Sequence, residues 1–277
     1  MPYITAPDGA RLFYSDEGAG LPILCLSGLT RSGRDFDYAM PALAGCRVIR
    51  MDYRGRGRSD WADYKSYTLV QEGADALQLL DHLSLEKAAI LGTSRGGLIA
   101  LGLAVAARER LLGVCLNDIG TELDPKGLDV IMGYLGRNPA FASHAEMAAE
   151  MPNLMKSFAN VPQSRWRTEV ETHYAETPRG LQITYDPKLR DAVIESGAVA
   201  APDLWPFFDA LAGLPSAVIR GANSDLLSAG TFAEMRRRRP DLIAAEVPDR
   251  GHIPFLDEPE AVDVLENWVE QLSSVWP

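Results

Sequence analysis

Short apolar runs alternate with longer amphipathic segments through the first 120 residues, and this alternation is the strongest constraint on the fold. It is how a parallel sheet joined by crossover helices looks in sequence. Residues 23–27, 47–52, 88–92 and 112–118 each read as a buried strand ending at a polar or glycine position. Ahead of them, residues 3–5 and 11–16, joined by Pro7-Asp8-Gly9, read as an antiparallel edge hairpin. Between strands, residues 68–83 and 96–108 carry apolar side chains at helical spacing, with Thr68 placed to cap the first.

The pattern then breaks. From residue 120 to 210 no strand is evident, and prolines at 125, 139, 152, 162, 178, 187, 202 and 206 divide the stretch into short helical pieces. Strand signatures return at 216–221 and 243–248, and a last helix is expected over 260–273. The expectation is one α/β core, residues 1–119 and 211–277, interrupted by a helical cap at 120–210.

Gly92-Thr93-Ser94-Arg95-Gly96 lies where an apolar strand runs into an apolar-faced helix. A serine there is held in a strained turn with small neighbours, its hydroxyl exposed at a helix N-terminus that favours developing negative charge. Such a serine needs a base. Of the four histidines, His82 falls on a surface helix and His144 and His173 on the cap, whereas His252 follows the last strand in a loop at the sheet end where the serine emerges. Two acids could orient that imidazole, Asp225 after the penultimate strand and Asp118 after the strand before the cap. Loop length favours Asp225; Asp118 reads as a loop anchor at the cap entrance. In Ser27-Gly28-Leu29-Thr30 the glycine lets the Leu29 N–H point inward beside that of Arg95, the pair an oxyanion would need. The Arg95 guanidinium has two readings, a seat for a substrate carboxylate or a partner for a nearby acid such as Asp118.

At these residues the chain resembles the α/β-hydrolase fold family: Ser27-Gly28-Leu29 where that family usually has His-Gly-x, Asp52-Tyr53-Arg54-Gly55-Arg56-Gly57-Arg58-Ser59, the serine turn, residues 221–225, and Gly251-His252. The resemblance implies a mostly parallel eight-stranded sheet with a helical cap between strands six and seven. It also implies Ser94, Asp225 and His252 as a triad, with Leu29 and Arg95 as oxyanion donors.

Composition narrows the partners. A formal charge of -11 offers nothing to nucleic acid or an anionic membrane surface, so a small-molecule substrate is expected, on a monomer or homodimer. No metal-ligand spacing or dinucleotide fingerprint appears, so no metal or cofactor is expected. The three cysteines, Cys25, Cys46 and Cys115, sit in or beside apolar runs and read as reduced core residues. The N-terminal segment lacks a targeting pattern, which reads as cytoplasmic. Aromatic and methionine residues of the cap would set specificity, with Tyr134, Trp166 and Trp205 as candidate pocket residues. The activity expected is hydrolysis of a small to medium carboxylic ester or lactone. A carbon-carbon hydrolase, a perhydrolase or haloperoxidase, and a ligand-sensing receptor are the alternatives.

Overall fold

A computed structural model of the chain describes residues 2–197 and 202–276; the cap expectation at 198–201 lies outside the described residues. Strands β1 (Tyr3–Thr5), β2 (Arg11–Gly18), β3 (Pro22–Leu26) and β4 (Arg47–Met51) lead into helix α1 (Leu69–His82), strand β5 (Ala88–Thr93), helix α2 (Arg95–Ala106) and strand β6 (Leu111–Asn117). The inserted segment follows: α3 (Pro125–Tyr134), α4 (His144–Leu154), α5 (Gln163–His173), a hairpin of β7 (Tyr174–Thr177) and β8 (Gly180–Ile183), and α6 (Leu189–Gly197). The chain then runs through α7 (Trp205–Asp209), β9 (Ser216–Gly221), α8 (Ala229–Arg238), β10 (Ile243–Val247) and α9 (Pro259–Val275).

The main sheet has eight strands in the order β1-β2-β4-β3-β5-β6-β9-β10. All neighbours are parallel except β1 with β2 and β2 with β4. Alternate residues of each strand serve opposite faces. Leu24, Leu26, Ile90, Val114 and Val218 pack with α1, α2 and α8 through Leu79, Ile99, Leu103 and Phe232. Ile23, Cys25, Leu91, Cys115 and Ile219 pack with α9 through Val264, Leu265, Trp268 and Leu272. Both faces are covered, which is why these strands read as continuous apolar runs. Thr68 caps α1 as expected, its hydroxyl accepting from the Gln71 N–H at 3.1 Å.

Two expectations for the inserted segment are corrected. It contains the β7–β8 hairpin, whose short, half-exposed strands lack the apolar run that marks a buried strand. Its C-terminal end belongs to the core: Phe208 is fully buried with the α2 face of the sheet, and Trp205 and Phe207 pack beside it. Among the described residues no helix is long and apolar enough to cross a membrane.

All three cysteines are buried and unpaired, and burial pushes the Cys25 and Cys115 thiols well above their ordinary range. A thiolate is the reactive form, so the native protein should resist a chromogenic thiol reagent at pH 8 and release three equivalents only in denaturant. Rapid labelling of the native chain would contradict this packing.

Candidate active site

At the turn between β5 and α2, Ser94 adopts φ 50° and ψ -113°, a conformation that costs energy for any residue with a Cβ. Its neighbours make the turn possible by having none. A Cβ on Gly96 would lie 1.9 Å from the Leu26 carbonyl oxygen, and one on Gly92 would lie 2.7 Å from the Gly96 backbone. The helix end is thereby pressed onto β3, and the Gly96 N–H donates to Ser27 O at 3.1 Å.

The serine oxygen lies 2.9 Å from His252 Nε2, and His252 Nδ1 lies 2.7 Å from Asp118 Oδ2. With its ring proton on Nδ1, the imidazole donates to the carboxylate and presents Nε2 as acceptor to the Ser94 hydroxyl. Asp118 is fully buried, at the end of β6 in a left-handed turn with φ 52°. Its carboxylate also accepts from the Gly221 N–H at 2.7 Å and the Ser224 hydroxyl at 2.6 Å.

The expectation for Asp225 is therefore corrected. The loop after β9 turns tightly, Ser224 N–H donating to Gly221 O and Asn223 N–H to Arg250 O, so that Ser224, one residue short of the expected acid, faces the imidazole's partner. Asp225 lines the cavity above, and among the described residues its carboxylate accepts no hydrogen bond. Asp118, weighed in the sequence as a loop anchor, is the acid that meets His252. Its position directly after a strand at the serine's end of the sheet was the available signal.

Leu29 and Arg95 carry backbone N–H groups that donate no hydrogen bond among the described residues. The Leu29 loop is fixed from behind, with Ser27 O accepting from the Tyr53 hydroxyl at 3.1 Å and Leu29 O from Arg56 Nε at 3.0 Å. Gly28 sits against Ile253, the neighbour of His252, with a Cβ there meeting Ile253 Cδ1 at 3.6 Å. The serine turn, the Leu29 loop and the histidine loop thus converge on one spot.

The Arg95 guanidinium turns away from this spot. Nε donates to Glu72 Oε2 at 2.6 Å and Nη2 to Tyr67 O at 3.0 Å, so the carboxylate-seat reading is corrected, and the partner is Glu72, not Asp118. Glu72 also lies 2.9 Å from Arg56, both fully buried. Burial pulls the Arg56 guanidinium below its ordinary value, and the Glu72 charge opposes that. Beside this triad, Arg54 grips Asp75 through two bonds of 2.7 Å, also without exposure. The Gly-Arg run after β4 is the cationic side of a buried ion-pair layer. The signal was on α1, where Glu72 and Asp75 interrupt an apolar stripe containing Ala76, Leu79 and Leu80.

Above Ser94 and His252 lies a cavity of about 780 Å³ between core and inserted segment. Thr93, Asn117 and His252 line it from the core, and Tyr134 and Trp166 from the insertion. Trp166 packs edge-on against Phe158 and against Phe255 of the histidine loop. Trp205 is absent from the lining: its indole N–H donates to Glu122 at 2.9 Å and its ring stacks under Arg238. The expectation for Trp205 is corrected, because α7 packs against α2 and not over the cavity.

A model of the alpha/beta hydrolase family matches residues 23–263. The chain belongs to the alpha/beta hydrolase family. Among curated relatives of this alpha/beta hydrolase, the 3-hydroxybutyrate-oligomer hydrolase of Cupriavidus necator is 37% identical over 253 residues, 87% of this chain and 86% of that protein. A crystal structure of an alpha/beta hydrolase from Novosphingobium aromaticivorans superposes with a TM-score of 0.91 at 35% identity, covering 98% and 97% of the two chains. The E-2-(acetamidomethylene)succinate hydrolase structure shares the fold, with a TM-score of 0.80 at 22% identity over 97% of this chain and all (100%) of that one.

Two variant series follow from the geometry. Asp118→Asn should lower kcat by about 10³–10⁴, as loss of the imidazole's orienting acid does, and Asp225→Asn by less than about tenfold; the reverse order in steady-state assays would contradict the site. Glu72→Gln should cost about 3–5 kcal/mol of stability, because it leaves buried guanidinium charge uncompensated, and a thermal melt unchanged from wild type would refute that.

Proposed function

We propose that the chain is a serine hydrolase that cleaves a small to medium carboxylic ester or lactone through an acyl-enzyme on Ser94. The observation that carries this reading is the unbroken chain of hydrogen-bonding contacts from Ser94 Oγ through His252 to buried Asp118.

In this reading His252 Nε2 takes the hydroxyl proton as Ser94 Oγ attacks the substrate carbonyl carbon, and Asp118 stabilises the imidazolium. The carbonyl oxygen becomes an oxyanion, for which the Leu29 N–H on the loop after β3 and the Arg95 N–H at the start of α2 are available, neither donating a hydrogen bond among the described residues. Collapse breaks the bond to the alkoxy oxygen, which leaves with the proton from Nε2. A water molecule then repeats the attack on the acyl-enzyme, losing its proton to His252, and the acid is released with Ser94 regenerated.

The Cupriavidus relative supports a substrate of the hydroxyalkanoate ester class, since it matches nearly the whole chain and its name specifies 3-hydroxybutyrate oligomers. The cavity suits such a molecule: its volume fits a small ligand, and its walls combine Met147, Met151, Phe158 and Trp166 with charged groups.

A fluorophosphonate should label the native enzyme at Ser94 alone, and Ser94→Ala should abolish both labelling and release of nitrophenol from p-nitrophenyl butyrate. Peptide mapping that finds the label elsewhere, or activity surviving in Ser94→Ala, would remove the basis of the proposal.

A further inference from the structure

Four charged or titratable side chains meet in the wall of the cavity, outside the triad. Arg31 and Asp35 come from the loop after β3, and Glu169 and His173 from α5 of the inserted segment. Arg31 Nη1 lies 2.7 Å from His173 Nε2 and donates to Glu169 Oε2 at 3.4 Å. The cluster and the histidine loop meet at Gly28, where a Cβ would lie 3.7 Å from Arg31 Cγ and 3.6 Å from Cδ1 of Ile253, the neighbour of His252.

Two features of the cluster are incomplete. Every polar contact of Arg31 uses Nη1, which leaves Nε and Nη2 without a hydrogen bond among the described residues. The Asp35 side chain is only 7% exposed, yet its Oδ1 is buried without a hydrogen bond, lying 3.5 Å from both Arg31 and His173. A buried carboxylate oxygen without a donor is costly, and such a group marks a place where a ligand completes the network. Burial pushes the Asp35 carboxyl above its usual range, as expected where donors are short.

The charge balance decides which ligand fits. Two acids already face one guanidinium and one imidazole, and Glu169 is held at about 2, where burial would raise it but the His173 contact and the Arg31 charge prevail. A third carboxylate from a substrate would add uncompensated negative charge in a buried setting. A hydroxyl adds none, and it both donates and accepts.

We infer that Arg31 and Asp35 form a subsite for a hydroxyl group on the acyl chain of the ester, the hydroxyl donating to Asp35 and accepting from Arg31. This rests on the ester-hydrolase reading of Ser94 and specifies its substrate class as hydroxyacyl esters. Glu169 and His173 hold Arg31 in place from the inserted segment.

The test compares ethyl 3-hydroxybutyrate, each enantiomer separately, with ethyl butyrate in a pH-stat, taking the ratio of kcat/KM values within each enzyme preparation. That ratio does not depend on the fraction of folded protein. Wild type should prefer one hydroxy ester by about 10- to 100-fold, the range for hydrogen bonds to charged groups. In Asp35→Asn, Asp35→Leu and Arg31→Met the preference should fall by at least tenfold, while Arg34→Gln, a charge change on the same loop, should keep it. If Arg31 and Asp35 only fasten the inserted segment, their variants would slow both esters together and leave the ratio intact, which overturns the inference. Equal wild-type efficiency on hydroxy and plain esters overturns it too, with the ester reading standing; a wild type that hydrolyses neither overturns both.

Discussion

The site depends on how closely helix α2 approaches strand β3. Only a residue without a side chain fits where Gly96 lies, since a Cβ would stand 1.9 Å from Leu26 O. That contact fixes the helix N-terminus against the loop that carries Leu29, and the strained Ser94 backbone is the bend that joins strand to helix at this distance. Strain of this kind persists only when the surroundings over-determine it. Here they do: Ser94 N–H donates to Asn117 O, Gly96 N–H to Ser27 O, and a Cβ on Gly97 would strike Ile119. One close approach therefore brings together the serine, the Leu29 and Arg95 N–H groups and the end of β6 from which Asp118 rises.

Behind this bend lies a layer of buried ions. Arg56, Glu72 and Arg95 link the loop after β4, helix α1 and the serine turn, and Arg56 also grips the Leu29 carbonyl. Such a layer is weak evidence for net stability, because desolvation offsets much of the attraction. Its geometric effect is firmer. The residues whose N–H groups would face an oxyanion are tied, through one guanidinium and one carboxylate, to the loop after β4 and to helix α1.

The inserted segment is tied to the histidine loop as well as laid over it. Ala159 N–H donates to Asp249 O, Arg250 to Ala159 O, and Asn223 of the neighbouring loop after β9 to Ser157 O, while a Cβ on Gly251 would strike Ser157. Phe158, Trp166 and Phe255 close the joint with edge-on aromatic contacts. The segment that shapes the cavity therefore shares its supports with the loop that positions His252, and a change in one is felt in the other.

Local pattern in the sequence determined the parallel core, the insertion, the strained serine and the loop histidine. Buried strands must be continuously apolar, and a serine flanked by glycines at a strand end has few other uses. Thr68 and the limits of β9 were equally local matters, settled by a hydroxyl and an apolar run. The acid was different: Asp118 and Asp225 both follow strands at the same edge, and the choice turned on how tightly the β9 loop bends, which a one-dimensional reading does not contain. The same holds for Arg95, whose partner Glu72 lies 23 positions away on another helix, for Trp205, and for the Arg31 cluster, assembled from segments 138 residues apart. Hydrophobic periodicity reports which face of an element is buried; which polar groups meet across elements is set by packing, and only the tertiary structure decided it.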